Sequence, residues 1–219
     1  ELAVPFTDNM ILQRESKVPI WGFDKPGNQV TVEFAGQTKT VVADKNGDWM
    51  VKLDPLAASA KEREFRVYSK TESITLKGVL VGEVWFSSGQ SNMVWTAGKS
   101  MCNELARELA SSKEDIPIRE ININTVSALY PQKRATSDDG WKKASAASGF
   151  SALSLSFAYE LYKELNVPIG ILLSAHSNTR IEAFTQREAI EAHPKLKTDA
   201  DLMHEADPLT EQGRNAFAQ

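Results

Sequence analysis

A change of hydrophobic texture near Lys77 constrains the fold of this chain more than any other feature. From Val4 to about Lys77 the apolar residues come in short, partly alternating runs: Val18-Pro19-Ile20-Trp21-Gly22, Val30-Thr31-Val32-Glu33-Phe34, Lys39-Thr40-Val41-Val42-Ala43, Trp49-Met50-Val51-Lys52-Leu53, Glu64-Phe65-Arg66-Val67-Tyr68 and Ser73-Ile74-Thr75-Leu76. Runs rich in β-branched and aromatic residues with this period predict strands. The separators Lys25-Pro26-Gly27-Asn28, Ala35-Gly36-Gln37 and Asn46-Gly47-Asp48 carry the proline and glycine chemistry that tight reversals need. Short strands at this spacing predict a sandwich-like β-module over residues 1–78.

Past Lys77 the pattern becomes strand, helix, strand. An apolar strand from Val79 to Ser87 runs into Gly89-Gln90-Ser91-Asn92-Met93, and a helical stretch around Glu104, Leu105 and Leu109 follows. A strand is expected over Ile118 to Val126, then a polar loop to Trp141. A helix is expected from Phe150 to Leu165, with Phe150, Leu153, Phe157, Leu161 and Leu165 on one face. Val167-Pro168 ends it, and Ile169-Gly170-Ile171-Leu172-Leu173 reads as a parallel strand covered on both sides. This alternation predicts an α/β domain over 79–219. Only about three strands follow Lys77, so the parallel sheet reads as truncated at its C-terminal end. From Ile181 onward the chain reads as polar and helical.

Composition narrows the function. The chain has 219 residues, 42% of them hydrophobic and 25% charged, the balance of a folded domain. A formal charge of -4 with scattered Lys and Arg gives no basic face for nucleic acid. No apolar run approaches the length of a membrane span. The single cysteine, Cys102, has no partner for a disulfide and no base at a recognisable spacing, so it reads as a plain thiol. His176, His193 and His204 lack metal-ligand spacing, and no metal or other cofactor is expected. His193, before Pro194, reads as a helix-end residue.

Chemistry concentrates at Ser91. A serine that follows a glycine at the end of a buried strand stands at the carboxyl edge of the sheet, where open α/β folds bind ligands. Backbone amides at the next helix start can receive an oxyanion there. Met93 stands where the usual hydrolase elbow has its second glycine. On spacing alone Ser91 is equally well an N-cap serine. Trp21 and Trp49 lie in apolar runs and read as β-module core.

The segment Val81-Gly82-Glu83-Val84-Trp85-Phe86-Ser87-Ser88-Gly89-Gln90-Ser91-Asn92-Met93 closely resembles the nucleophile segment of the sialate O-acetylesterases, an arm of the SGNH hydrolases. The resemblance extends to Phe6-Thr7-Asp8-Asn9-Met10-Ile11-Leu12-Gln13-Arg14, Val18-Pro19-Ile20-Trp21-Gly22, Pro26-Gly27-Asn28-Gln29-Val30-Thr31-Val32 and Gly47-Asp48-Trp49. Trp141, Phe150-Ser151-Ala152, Val167-Pro168-Ile169-Gly170, Thr179 and Ile181-Glu182-Ala183 continue it, in order, to about residue 184.

This resemblance implies a three-layer α/β esterase domain, incomplete here, behind the β-module. It implies Ser91 as nucleophile toward an acetyl ester on sialic acid or a related sugar, through an acyl-enzyme. Gln90, Asn92 and Asn178 are then candidates for the oxyanion and substrate pocket, with Trp95 and His176 as candidates for its lining. The family is largely exported, lysosomal in animals and periplasmic or extracellular in bacteria, so an exported protein is expected.

Two departures stand out. The family carries a Trp-Gly-Gly-Thr stretch where this chain has His176-Ser177-Asn178-Thr179, which alters the expected pocket. Its catalytic Asp-x-x-His lies far downstream, behind a Gln-Gly-Glu block absent here. Asp201-Leu202-Met203-His204 spells Asp-x-x-His but follows the Ile-Gly strand too soon. The chain therefore reads as the N-terminal part of an esterase, inactive alone, with His and Asp delivered by the rest of the polypeptide or by a second chain. A catalytically impaired sugar-binding or accessory protein on the same scaffold is the alternative.

Overall fold

A computed structural model of the chain describes residues 1–126, 128, 132–196 and 201. Its strands in chain order are β1 (Ile11–Gln13), β2 (Val18–Phe23), β3 (Gln29–Phe34), β4 (Gln37–Val42), β5 (Asp48–Leu53), β6 (Ser59–Tyr68), β7 (Ser73–Gly89), β8 (Ile118–Asn122), β9 (Trp141–Lys143) and β10 (Ile169–Ala175). The α-helices are α1 (Ser91–Val94), α2 (Asn103–Ser111), α3 (Ala152–Leu165) and α4 (Arg187–Ala192). Short 3₁₀ turns cover Ala97–Lys99, Ala144–Gly149, Ile181–Phe184 and Pro194–Leu196.

Alternation decides which strand faces meet. Val30, Val32 and Phe34 of β3 point the same way and are buried, as are Trp49, Val51 and Leu53 of β5. The antiparallel pair β2-β5 lies over the β4-β3-β6-β7 part of the larger sheet, and the facing side chains form one apolar cluster that includes Ile20, Leu53, Phe65 and Val79. Each fully buried Ile, Leu or Phe of this kind contributes roughly 2 kcal/mol of transfer free energy.

Strand β7 joins the two halves. The runs expected as separate strands at 73–76 and 79–87 are one continuous strand of 17 residues, so the expected boundary at 78/79 falls inside it. Its first part pairs antiparallel with β6, its middle pairs parallel with β1 from Leu80 to Gly82, and its last part pairs parallel with β10 from Glu83 to Gly89. Beyond β10 come β8, parallel, and β9, antiparallel. Among the described residues this gives an eight-stranded sheet in the order β4-β3-β6-β7-β10-β8-β9, with β1 on the side of β7.

A second apolar cluster lies on the helix-covered face of the parallel part, where Ile118, Ile169, Ile171 and Leu173 meet Ala106, Leu109, Leu155 and Ala158. β10 is apolar because it is flanked by β7 and β8 and covered by helix, as its composition predicted. Strand β8 is shorter than expected, ending at Asn122.

The expected apolar face of α3 is corrected. Phe150 is buried but precedes the helix, while Leu153 and Phe157 are 52% and 43% exposed. Ala152, Ser154, Leu155 and Ala158 form the inward face instead, because small side chains let the helix sit close to the sheet. The helix begins at Ser151, whose Oγ accepts a hydrogen bond from the Ser154 amide, and ends on Asn166 in the left-handed region.

Candidate active site

β7 delivers Ser91 through a sharp turn. Gly89 has φ +141°, a backbone conformation that side chains disfavour, and the strand ends there. Gln90 then occupies the cap position of α1, so Ser91 is the first helical residue. The N-cap alternative for Ser91 is thereby removed: its side chain makes no cap bond, and its Oγ has no hydrogen-bond partner among the described residues. Ser91 is partly exposed, while Gln90 and Asn92 beside it are exposed. The turn is closed by Met93 N donating to Gln90 O at 2.9 Å and by Trp95 N donating to Ser91 O at 3.2 Å.

The end of β10 comes alongside. Ala175 is in register with Gly89, and the His176 amide donates to Gly89 O at 3.0 Å, so the His176-Ser177-Asn178 loop starts next to the nucleophile turn. Asn178 has φ +58°, the left-handed conformation that glycine adopts freely and that asparagine tolerates better than most residues. Asn178 therefore keeps a glycine-like backbone where the resemblance expects a glycine. His176 and Asn178 are exposed, and the Ile181–Phe184 turn that follows packs back against β7. Arg180 Nη2 lies 2.7 Å from Glu182 Oε1, and the other Glu182 oxygen is buried without a hydrogen-bond partner among the described residues. The Glu182 amide and the Arg180 guanidinium hold the Glu182 carboxyl below its ordinary range.

Trp95, 62% exposed, stands at the end of α1 on the rim of this region. Its carbonyl accepts from the Ala152 amide at 2.8 Å, and the Ala97 amide donates to Phe150 O at 2.8 Å. A β-bridge between Thr96 and Ser151 lies between these two bonds. The segment after the nucleophile is thus strapped to the start of α3.

No described His, Asp or Glu side chain hydrogen-bonds the Ser91 hydroxyl. Of the Asp201-Leu202-Met203-His204 run only Asp201 lies within the described residues, where it is exposed; His204 lies outside them. His193 caps the end of α4 and is exposed. Among the described residues no three His, Cys, Asp or Glu side chains gather as metal ligands. Cys102 Sγ lies 2.9 Å from Ser156 Oγ and serves helix packing.

Sequence reasoning missed Glu120. It sits on β8 beneath the Ser151 strap, 5% exposed, and both of its oxygens accept from the Ser151 amide at 3.2 Å. Burial pushes its carboxyl up to about 7, against the pull of that amide and of Lys142. The signal was present: Arg119-Glu120 is a charged pair directly after Ile118 in a run read as a strand.

On the side of β7 away from β10, strand pairing stops at Gly82. Gln13 Oε1 takes the Val84 amide at 2.8 Å, and Arg14 Nε holds Glu83 Oε1 at 2.6 Å. Beyond this clasp, Trp85 to Gly89 have no strand neighbour on that edge among the described residues. Phe86, 67% exposed, projects from one face there, and Trp85 meets Phe157 edge-on at 5.1 Å on the other.

A partly exposed serine, carried on a strand-to-helix turn at the carboxyl edge of a parallel sheet, is the arrangement used by α/β-class serine hydrolases. Comparison with known proteins agrees. The chain is 31% identical over 209 residues to the sialate O-acetylesterase of Mus musculus and 30% identical over 231 residues to that of Rattus norvegicus, alignments covering 85% and 93% of this chain. A solved carbohydrate acetylesterase from Xanthomonas citri superimposes with a TM-score of 0.79 at 31% identity, over 88% of this chain. No protein-family model matches the chain. The chain is a homologue of the sialate O-acetylesterases. It spans 38% and 41% of the two rodent proteins and 44% of the bacterial one.

Proposed function

We propose that this chain is the nucleophile-bearing part of a carbohydrate O-acetylesterase acting on sialic acid or a related acetylated sugar, with residues 1–78 as a supporting β-module. The observation that carries the reading is the Ser91 hydroxyl, partly exposed where β7 ends and without a hydrogen-bond partner among the described residues, in a chain homologous to sialate O-acetylesterases. Ser91 Oγ attacks the acetyl carbonyl carbon and gives its proton to a general base. The bond to the sugar oxygen then breaks as that oxygen takes the proton, and water hydrolyses the acetyl-enzyme. Backbone amides of the turn, with Gln90, Asn92 and Asn178, are the donors available to the oxyanion. Trp95 and His176 flank the substrate.

A serine hydroxyl needs a base. In this reading the base and its acid come from the remainder of the full-length polypeptide or from a second chain, which also pairs along the Trp85–Gly89 edge and covers Phe86. Parallel sheets are buried on both faces, and the length that the relatives carry outside the match supports this. An exported location, expected from the resemblance, belongs to the same proposal.

The test measures acetate release from O-acetylated sialic acid and reaction with a fluorophosphonate, using the full-length protein, its Ser91→Ala variant and the 219-residue chain. The full-length protein should turn over and label, the variant should do neither, and the chain alone should be inactive. Sugar binding without labelling of Ser91 would replace this reading with the accessory-protein one.

A further inference from the structure

A hydrogen-bonded path leads from a buried carboxyl to both ends of the nucleophile turn. Glu120 shares a register with Ile171 of β10, so it points to the helix-covered face, among Ile118, Ile169 and Leu173. A carboxyl in such a place is costly unless its oxygens are used. Here both accept from the Ser151 amide.

Ser151 distributes that anchor in two directions. Backward, it bridges to Thr96, flanked by the Ala97-to-Phe150 and Ala152-to-Trp95 bonds, and the Trp95 amide reaches the Ser91 carbonyl. Forward, its Oγ caps α3 through the Ser154 amide, and Ser154 Oγ donates to Ser87 Oγ at 3.0 Å, two residues before Gly89. We infer that Glu120 is a positioning residue for the Ser91 turn, fixing through Ser151 both the strand end that enters the turn and the segment that leaves it. The inference rests on the reading of Ser91 as nucleophile.

Charge around Glu120 is sparse. Lys142 faces it from β9 and is ion-paired to Asp139, while residues 144–158, residues 95–98 and β10 contribute no titratable side chain. Its raised titration means that the folded strap prefers the protonated acid. Opening the Ser151 contact hydrates Glu120 and favours ionisation, so opening becomes easier as pH rises from the ordinary carboxyl range toward about 7. The limit is about tenfold per pH unit.

The experiment compares native protein with Glu120→Gln and Glu120→Leu, all full-length, by hydrogen exchange and by fluorophosphonate labelling across pH. In the native protein the protection factors of the Ala97 and Ala152 amides should fall at least about tenfold between pH 5 and pH 8. In Glu120→Gln they should change less than about threefold. The native labelling profile should show one more ionisation near neutrality than the Glu120→Gln profile, and Glu120→Leu should lose at least about tenfold in kcat with KM unchanged. Glu120→Gln decides alone if Glu120→Leu does not fold. Identical exchange profiles in native and Glu120→Gln protein would overturn the anchor. A pH-dependent strap with identical labelling profiles would overturn the positioning role. No labelling of native protein at any pH would sink the nucleophile reading and the positioning role with it, while exchange still reports on the anchor.

Discussion

Replacing Gly82 by alanine should separate the two strands whose register aims Ser91. Gly82 is buried on β7 at the handover from β1 to β10, and a Cβ built on it would lie 1.9 Å from the Pro168 carbonyl oxygen and 2.6 Å from its carbon. That oxygen accepts the Glu83 amide at 2.9 Å, the bond that opens the β7-β10 ladder. The new methyl group would fall roughly 1 Å short of any tolerable approach and would have to push backbone, not a side-chain tip. Overpacking of this kind costs about 1–3 kcal/mol. Losing or stretching the Glu83 bond adds about 1 kcal/mol. The sum, about 2–4 kcal/mol, should appear as a lower urea midpoint at unchanged m-value, followed by tryptophan fluorescence. Gly149→Ala is the matched control, since its Cβ meets nothing within 4 Å; it should shift stability by less than about 0.5 kcal/mol. Equal midpoints for the two variants would refute the reasoning. Because Gly89 and His176 meet at the far end of the same ladder, Gly82→Ala should also slow fluorophosphonate reaction at Ser91 in the full-length protein.

Three further outcomes follow from individual contacts. Arg119→Met should cost about 3 kcal/mol in a urea melt, because Arg119 is buried and donates to the carbonyls of Asn9 and Gly78, which lose that donor, while Glu62 keeps its bond from Lys143. Ser151→Ala should cost about 1 kcal/mol through loss of the α3 cap, measurable the same way, with the Glu120 contact to the backbone amide retained. Asp24 is held down to about 2 by Ser69, the Lys25 amide, Asn28 and Thr71. Its folded value lies below the ordinary 3.8, so its contribution is complete above about pH 4 and is lost as pH falls toward 2; Asp24→Asn should flatten the stability profile in that window, read from urea midpoints at each pH.

What the sequence disclosed was local, and what it hid depended on partners distant along the chain. Alternation in Val30-Thr31-Val32-Glu33-Phe34 and Trp49-Met50-Val51-Lys52-Leu53 fixes the inward faces of two strands by geometry alone, and the structure has them as read. The place of Ser91 was legible for the same reason, since an apolar strand ending in glycine can turn in few ways. The continuity of β7 was not. Lys77-Gly78 reads as a break, yet the Gly78 carbonyl is held by Arg119 from a strand 41 residues later, and the Lys77 amide donates to Asp8 Oδ1. The face of α3 was misjudged because periodicity counts large apolar residues, whereas the sheet accepts Ala152 and Ala158. Leu153 and Phe157 consequently stand in or near solvent, and Phe157 meets Trp85 on the end of β7, whose edge away from β10 has no strand neighbour among the described residues. Glu120 escaped because its acceptor role requires the Ser151 amide, 31 residues away. The break read at Lys77-Gly78 lies before the parallel pairing begins, whereas the start of α3 and the Glu120 anchor lie beside the carboxyl end of the parallel strands. There, apolar side chains and an edge without a strand neighbour among the described residues remain on one side of the nucleophile turn, while a buried acid holds the Ser151 amide on the helix-covered face. Local consistency is weakest where a protein has to bind and react, and that coincidence strengthens the case that chemistry belongs to this end of the sheet.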